Sequence, residues 1–151
     1  AASRGIDPDR LVFAHRLPPD QYLARYRIAD LALDTFPYNA GTTASDALWA
    51  GVPLVTRAGD SMAARMAASV LHAIGLPELV TATGETYEAL AIALGNDPGR
   101  LTAIRHKLEA NRRVAPLFAT VRFARHVEAA YTAMYARHLT GQPPIDIDVR
   151  D

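Results

Sequence analysis

Gly41 is followed by two hydroxyl residues, Thr42 and Thr43, and then, one helical turn on, by the carboxylate of Asp46. These residue types at this spacing suit a phosphorylated ligand. The unpaired N–H groups at a helix start attract anions, helped by roughly half a positive charge from the helix dipole. Glycine lets the backbone approach closely, and the threonine hydroxyls add donors without a full charge. Asp46, one turn in, is placed to accept from a ribose hydroxyl. An ordinary strand-to-helix connection has the same residues, with Thr42 or Thr43 as N-cap and Asp46 complementing the dipole.

The surrounding elements must hold that loop. Ala32 to Asp34 closes an apolar run, Phe36-Pro37-Tyr38-Asn39-Ala40-Gly41 reads as loop, and a helix runs from Thr42 through Ala50. Gly51-Val52-Pro53 stops the helix, and Leu54-Val55-Thr56 follows as a strand. Upstream, Ile6 to Asp9 is turn chemistry and Arg10 to Ala14 reads as a first strand. Pro18-Pro19-Asp20 opens a helix with proline where a missing N–H is harmless. Met62 to Ile74 is predicted helical and ended by Gly75, and Leu79-Val80 reads as a fourth strand. Strands alternating with helices imply an α/β fold with a parallel sheet, its ligands outside the carboxyl ends of the strands.

From Thr83 the pattern is helical: Glu85 to Leu94, then a helix capped by Asp97-Pro98 with Leu101, Ile104 and Leu108 on one face. Val121, Ala124, Val127, Tyr131, Met134 and Tyr135 mark a last amphipathic helix, whose stripe reads as core. Its mixed faces, Val121 to His138, also suggest a surface meant for another lobe. Leu48 and Trp49 are expected in the core, and Arg57 and Arg65, which flank the Gly59-Asp60 loop, are expected as unpaired surface arginines or local partners of Asp60, with phosphate contact as the alternative. Residues 1–139 are expected to form one lobe and residues 140–151 a tail.

Composition bounds the function. The 151 residues suffice for one domain, and sixteen basic residues balance sixteen acidic ones, which gives no electrostatic case for nucleic acid or an anionic membrane. Cysteine is absent, excluding disulfides and thiol chemistry, and the five histidines lack metal-ligand spacing; no metal is assigned. Lys107, the only lysine, is far from any phosphate loop, which excludes a Walker-type site. No run is long and apolar enough to span a bilayer. A receiver domain would need a lysine at a late strand end and an acidic cluster at the first. A dinucleotide-binding half would need G-x-G-x-x-G after Arg10 to Ala14.

The string NAGTTASDALWAGVPLVT resembles the donor-nucleotide loop of the O-linked N-acetylglucosamine transferase family, including its bacterial relatives and the SPINDLY-type branch. The resemblance continues through Gly59, Ser61 to Ser69 and Gly75 to Val80, covering nearly the whole chain. It implies a Rossmann-like C-terminal lobe of a GT-B glycosyltransferase, a parallel sheet flanked by helices with a helical C-terminal portion. A bacterial, cytoplasmic parent protein is implied, with an N-terminal catalytic lobe and a tetratricopeptide array upstream. The implied donor is UDP-GlcNAc and the acceptor a serine or threonine hydroxyl of a protein or peptide. The alternatives are a GDP-fucose-dependent protein O-fucosyltransferase and an inactive transferase-like binding module.

By matching positions, the resemblance implies that Leu17 presents its backbone to the base. Tyr22 and Arg25 would sit at base or ribose, Gly41, Thr42 and Thr43 would adjoin the diphosphate, and Asp46 would bind ribose. It implies no cofactor beyond the donor substrate. Pro19 replaces a family lysine, Gly41 a histidine, and Tyr22 stands where better-known members have histidine. The catalytic groups are expected upstream of Ala1, so this portion should bind without turning over.

Overall fold

The computed structural model describes residues 1–149, and the last two residues of the expected tail lie outside them. Three short parallel strands form the sheet in the order β1 (Ala32–Leu33), β2 (Leu54–Arg57), β3 (Val80–Thr81). Ala32 pairs with Leu54 and Leu33 with Val55 on one side of β2, and Thr56 pairs with Val80 and Arg57 with Thr81 on the other. Leu54, Val55 and Thr56 are all buried, as a central strand covered on both faces requires.

Six helices accompany the sheet among the described residues: α1 (Pro19–Arg25), α2 (Thr42–Trp49), α3 (Met66–Ala73), α4 (Gly84–Asn96), α5 (Pro98–Asn111) and α6 (Thr120–Leu139). Their limits follow local chemistry. Pro19 opens α1 at its first position. Thr83 and Thr86 form a reciprocal capping box for α4, and the Asp97 carboxylate accepts from Arg100 N to start α5. Gly75, at φ 76°, ends the helical stretch after α3 in a conformation that favours glycine.

The main core unites Leu48, Val55, Leu71, Ile74, Leu76, Leu79, Leu94, Ile104 and Leu108, drawn from α2, β2, α3, the segment between α3 and β3, α4 and α5. Leu101, Ile104 and Leu108 turn inward from α5 as their spacing requires. A smaller cluster joins Ala44 of α2, Ala67 of α3 and Leu54 of β2. Both alanines are fully buried, so α2 lies close against its neighbours.

Three expectations are corrected. Arg10 to Ala14 forms no strand: Leu11, Val12 and Phe13 find no ladder partner and stay exposed. Leu48 is in the core, but Trp49 is 52% exposed, because one further residue rotates it past the buried Ala44–Ala47–Leu48 face. It rests edge-on against Phe118 at 5.1 Å between ring centroids. The stripe on α6 is not core; none of that helix's residues is buried, and Val121, Tyr131, Met134 and Tyr135 are exposed. Periodicity marked the stripe correctly, but the main packing partner of α6 is the Pro116–Phe118 turn.

Candidate functional site

The residues after β1 fold around one carboxylate. Asp34, 6% exposed, accepts from the backbone N–H groups of Thr35 and Ala40 through Oδ1, both at 2.8 Å. Its Oδ2 accepts from the Thr56 hydroxyl at 2.5 Å. Asn39, also buried, donates from its side chain to the carbonyls of Thr35 and Arg57, and its own N–H donates to Ala63 O. The loop 35–40 is thereby sewn to β2 and to the segment that follows it, and its last residue delivers the chain to Gly41.

Gly41 is the N-cap of α2, with no side-chain cap, and its carbonyl accepts from Ser45 N at 3.1 Å. The alternative in which Thr42 or Thr43 serves as N-cap does not hold. Thr42 and Thr43 are instead its first two residues, both exposed, so the hydroxyls are not consumed in capping. The first N–H groups of a helix have no acceptor within it. They stand here beside two hydroxyls at the carboxyl-end edge of the sheet. A Cβ at Gly41 would collide with the Met66 methyl group, so Met66 fills the space a larger residue would need.

Asp46, half-buried one turn into α2, lines a cleft of about 600 Å³ with Leu17, Pro19, Tyr22 and Arg25. Four of the sequence-predicted residues therefore meet in one cavity. Gly41, Thr42 and Thr43 do not line it; they stand at the head of the helix that carries Asp46. Arg25 is not a free surface cation: it donates to His15 O at 2.8 Å and tethers the segment before α1. Its guanidinium lies 5.8 Å from the Tyr22 ring centre. Arg57 forms no ion pair with Asp60; it lies over the Phe36 ring at 4.9 Å, held by a cation–π contact.

The Tyr22 phenol is pushed well above its ordinary range, first by burial, then by its partner Tyr26 and by the Asp46 carboxylate. Tyr87, whose hydroxyl donates to Asp34 O at 2.8 Å, is raised by burial and by the Asp34 charge. A phenol raised above the ordinary 10.0 keeps its proton in the fold after the unfolded chain has lost it. Its contribution is thus fully present below about pH 10 and is lost as pH rises through the folded value. Denaturation series above pH 10 should show this fall flattened in Tyr22→Phe and in Tyr87→Phe. An unchanged slope in both variants would contradict the assignment.

Asp34, Asn39 and Tyr26 are not among the site residues expected from the sequence. Asp34 carried a signal, an acid closing an apolar strand before a loop, but its acceptor role depends on Thr56, 22 residues away.

The profile of glycosyl transferase family 41 matches residues 1–127. The chain belongs to that family. It is 37% identical over 140 residues to the UDP-N-acetylglucosamine–peptide N-acetylglucosaminyltransferase of Caenorhabditis elegans, a match covering 93% of this chain and 12% of the relative. It is also 37% identical over 145 residues to the probable UDP-N-acetylglucosamine–peptide N-acetylglucosaminyltransferase SEC of Arabidopsis thaliana, covering 95% and 15%. A mutant O-GlcNAc transferase of Thermobaculum terrenum superposes with a TM-score of 0.81 at 39% identity, over 89% of this chain and 26% of that one. The family 41 chain therefore spans a small part of these relatives, and its open sheet with a helical C-terminal portion is that of a GT-B lobe. Among the described residues no helix is long and apolar enough to cross a membrane.

Proposed function

We propose that this chain is the donor-nucleotide-binding part of a transferase that moves N-acetylglucosamine from UDP-GlcNAc to serine or threonine hydroxyls of proteins. The observation that carries this reading is the meeting of Leu17, Tyr22, Arg25 and Asp46 in one cleft beside the head of α2. The base enters between the Leu17 backbone and Tyr22, whose ring offers an apolar face to a pyrimidine. Asp46 accepts from the ribose, and the diphosphate faces the N–H groups and hydroxyls of Thr42 and Thr43. Both relatives at 37% identity bear names that specify UDP-N-acetylglucosamine, which favours this donor over GDP-fucose.

In this reading the chain contributes electrostatics to the reaction. As the sugar departs, charge grows on the diphosphate, and preorganised donors at the start of α2 stabilise it without reorganising. The acceptor side and the general base belong to the rest of the parent protein, for which a preceding lobe, a tetratricopeptide region and a cytoplasmic setting are proposed. The donor is the one small molecule the reading requires; no metal or further cofactor is invoked. With proline at position 19 and glycine at 41, helix-terminal groups carry the phosphate contact.

Calorimetric titration tests this. UDP should bind more tightly than uridine, and Asp46→Ala should weaken both. Thr43→Val removes a hydroxyl but keeps the shape; it should weaken UDP by about 1–2 kcal/mol, the scale of a hydrogen bond to a charged group, and leave uridine nearly unaffected. Equal affinities for UDP and uridine would contradict the proposed phosphate site.

A further inference from the structure

Tyr26 stands outside the set of residues the resemblance implies, yet it is joined to one of them. It follows Tyr22 by one helical turn, at the point where α1 tightens into the 3-10 turn Tyr26–Ile28. The two hydroxyls are 2.8 Å apart, and the rings meet edge to face at 5.3 Å and 82°. Tyr26 is half-buried, and its hydroxyl has no other hydrogen-bond partner among the described residues. Phenylalanine would make the same edge contact, so packing alone does not account for a hydroxyl here.

The Tyr22 hydroxyl is bonded to Tyr26 on its own helix, and Asp46 lines the same cleft as Tyr22. The bond between the phenols can run in either direction. A carboxylate can only accept. When Tyr22 turns its single proton toward Asp46, its remaining bond must therefore come from Tyr26. A turn of the Tyr22 hydroxyl that brings it within reach of Asp46 would give the order Tyr26 to Tyr22 to Asp46 and satisfy all three groups, each bond in such a chain polarising the next.

We propose that Tyr26 is a positioning residue of the donor site: it holds the Tyr22 hydroxyl toward Asp46 and so fixes the carboxylate that receives the ribose. The inference rests on the donor-site reading and adds to it a residue that touches no ligand. Its effect falls at the nucleoside end. Loss of the Tyr26 hydroxyl should therefore weaken every ligand that carries base and ribose by one common factor, whether or not phosphate is present.

The test is calorimetric titration of UDP and of uridine into wild type, Tyr26→Phe, Tyr22→Phe and the double variant. Tyr26→Phe keeps the ring and its edge contact, and circular dichroism establishes that it is folded. It should weaken UDP and uridine by the same factor, about three- to tenfold, the range of one modest hydrogen bond. In the Tyr22→Phe background it should have no further effect, because the group through which it acts is gone. Unchanged affinity in Tyr26→Phe would overturn the inference, and so would a loss confined to UDP or a loss that persists without the Tyr22 hydroxyl. In each of those outcomes wild type still binds UDP and the donor-site reading stands. Wild type that binds neither ligand would instead overturn the donor-site reading and the role of Tyr26 with it.

Discussion

Asp34→Ala should destabilise the fold by about 3–5 kcal/mol, because three donors lose one buried acceptor together. Those donors are the N–H groups of Thr35 and Ala40 and the hydroxyl of Thr56. The Thr56 hydroxyl cannot be rehydrated freely, since Asp34 and Thr56 are buried and the loop lies against β2. Asp34→Asn should be milder, about 1–2 kcal/mol. Its amide oxygen can keep both N–H bonds, and its NH2 group would face a Thr56 hydroxyl that is able to accept. Urea denaturation of the three proteins gives the order directly. An Asp34→Ala variant as stable as Asp34→Asn would show that the carboxylate is not what organises the loop. Since Ala40 leads straight into Gly41, the alanine variant should also lose affinity for UDP.

Leu48→Ala is expected to cost about 2–5 kcal/mol, through lost burial and the cavity left behind. Leu48 is fully buried on the inner face of α2, inside the main core cluster. The next residue supplies the contrast. Trp49 is larger, but it is 52% exposed and touches Phe118 and the Arg112 guanidinium. Trp49→Ala should therefore cost less, about 1 kcal/mol, the scale of an exposed aromatic and cation–π contact. The comparison, made by the same denaturation experiment, tests the orientation of α2, and with it the direction in which Thr42, Thr43 and Asp46 face. A larger loss for Trp49→Ala would mean that the helix is rotated from the position described.

Local chemistry made much of this fold legible. Pro19, Gly75, Thr83 and Asp97 mark helix limits through groups within a few residues of the bonds they make or forgo. The apolar faces of α2 and α5 also follow from spacing, because both helices pack on the common core. What failed depended on distant partners. Leu11 to Phe13 has strand-forming residues, but a strand also needs an edge to pair with. Val121 to Tyr135 has a helical stripe, but periodicity says which face is apolar and not what covers it. In the site, Thr42, Thr43 and Asp46 were visible as one short string. Their support was not: the Asp34–Thr56 bond spans 22 positions, and the Tyr87–Asp34 bond spans 53.

The most direct measurement of the central claim is a heteronuclear NMR titration of the labelled protein with UDP. Binding at the head of α2 predicts the largest amide shifts over Gly41 to Asp46, with further shifts at Leu17, Tyr22 and Arg25, and uridine should reproduce the second group while moving the first far less. UDP at saturating concentration that leaves the Gly41 to Asp46 amides in place, or that shifts only residues around Trp49 and Phe118, would contradict the account.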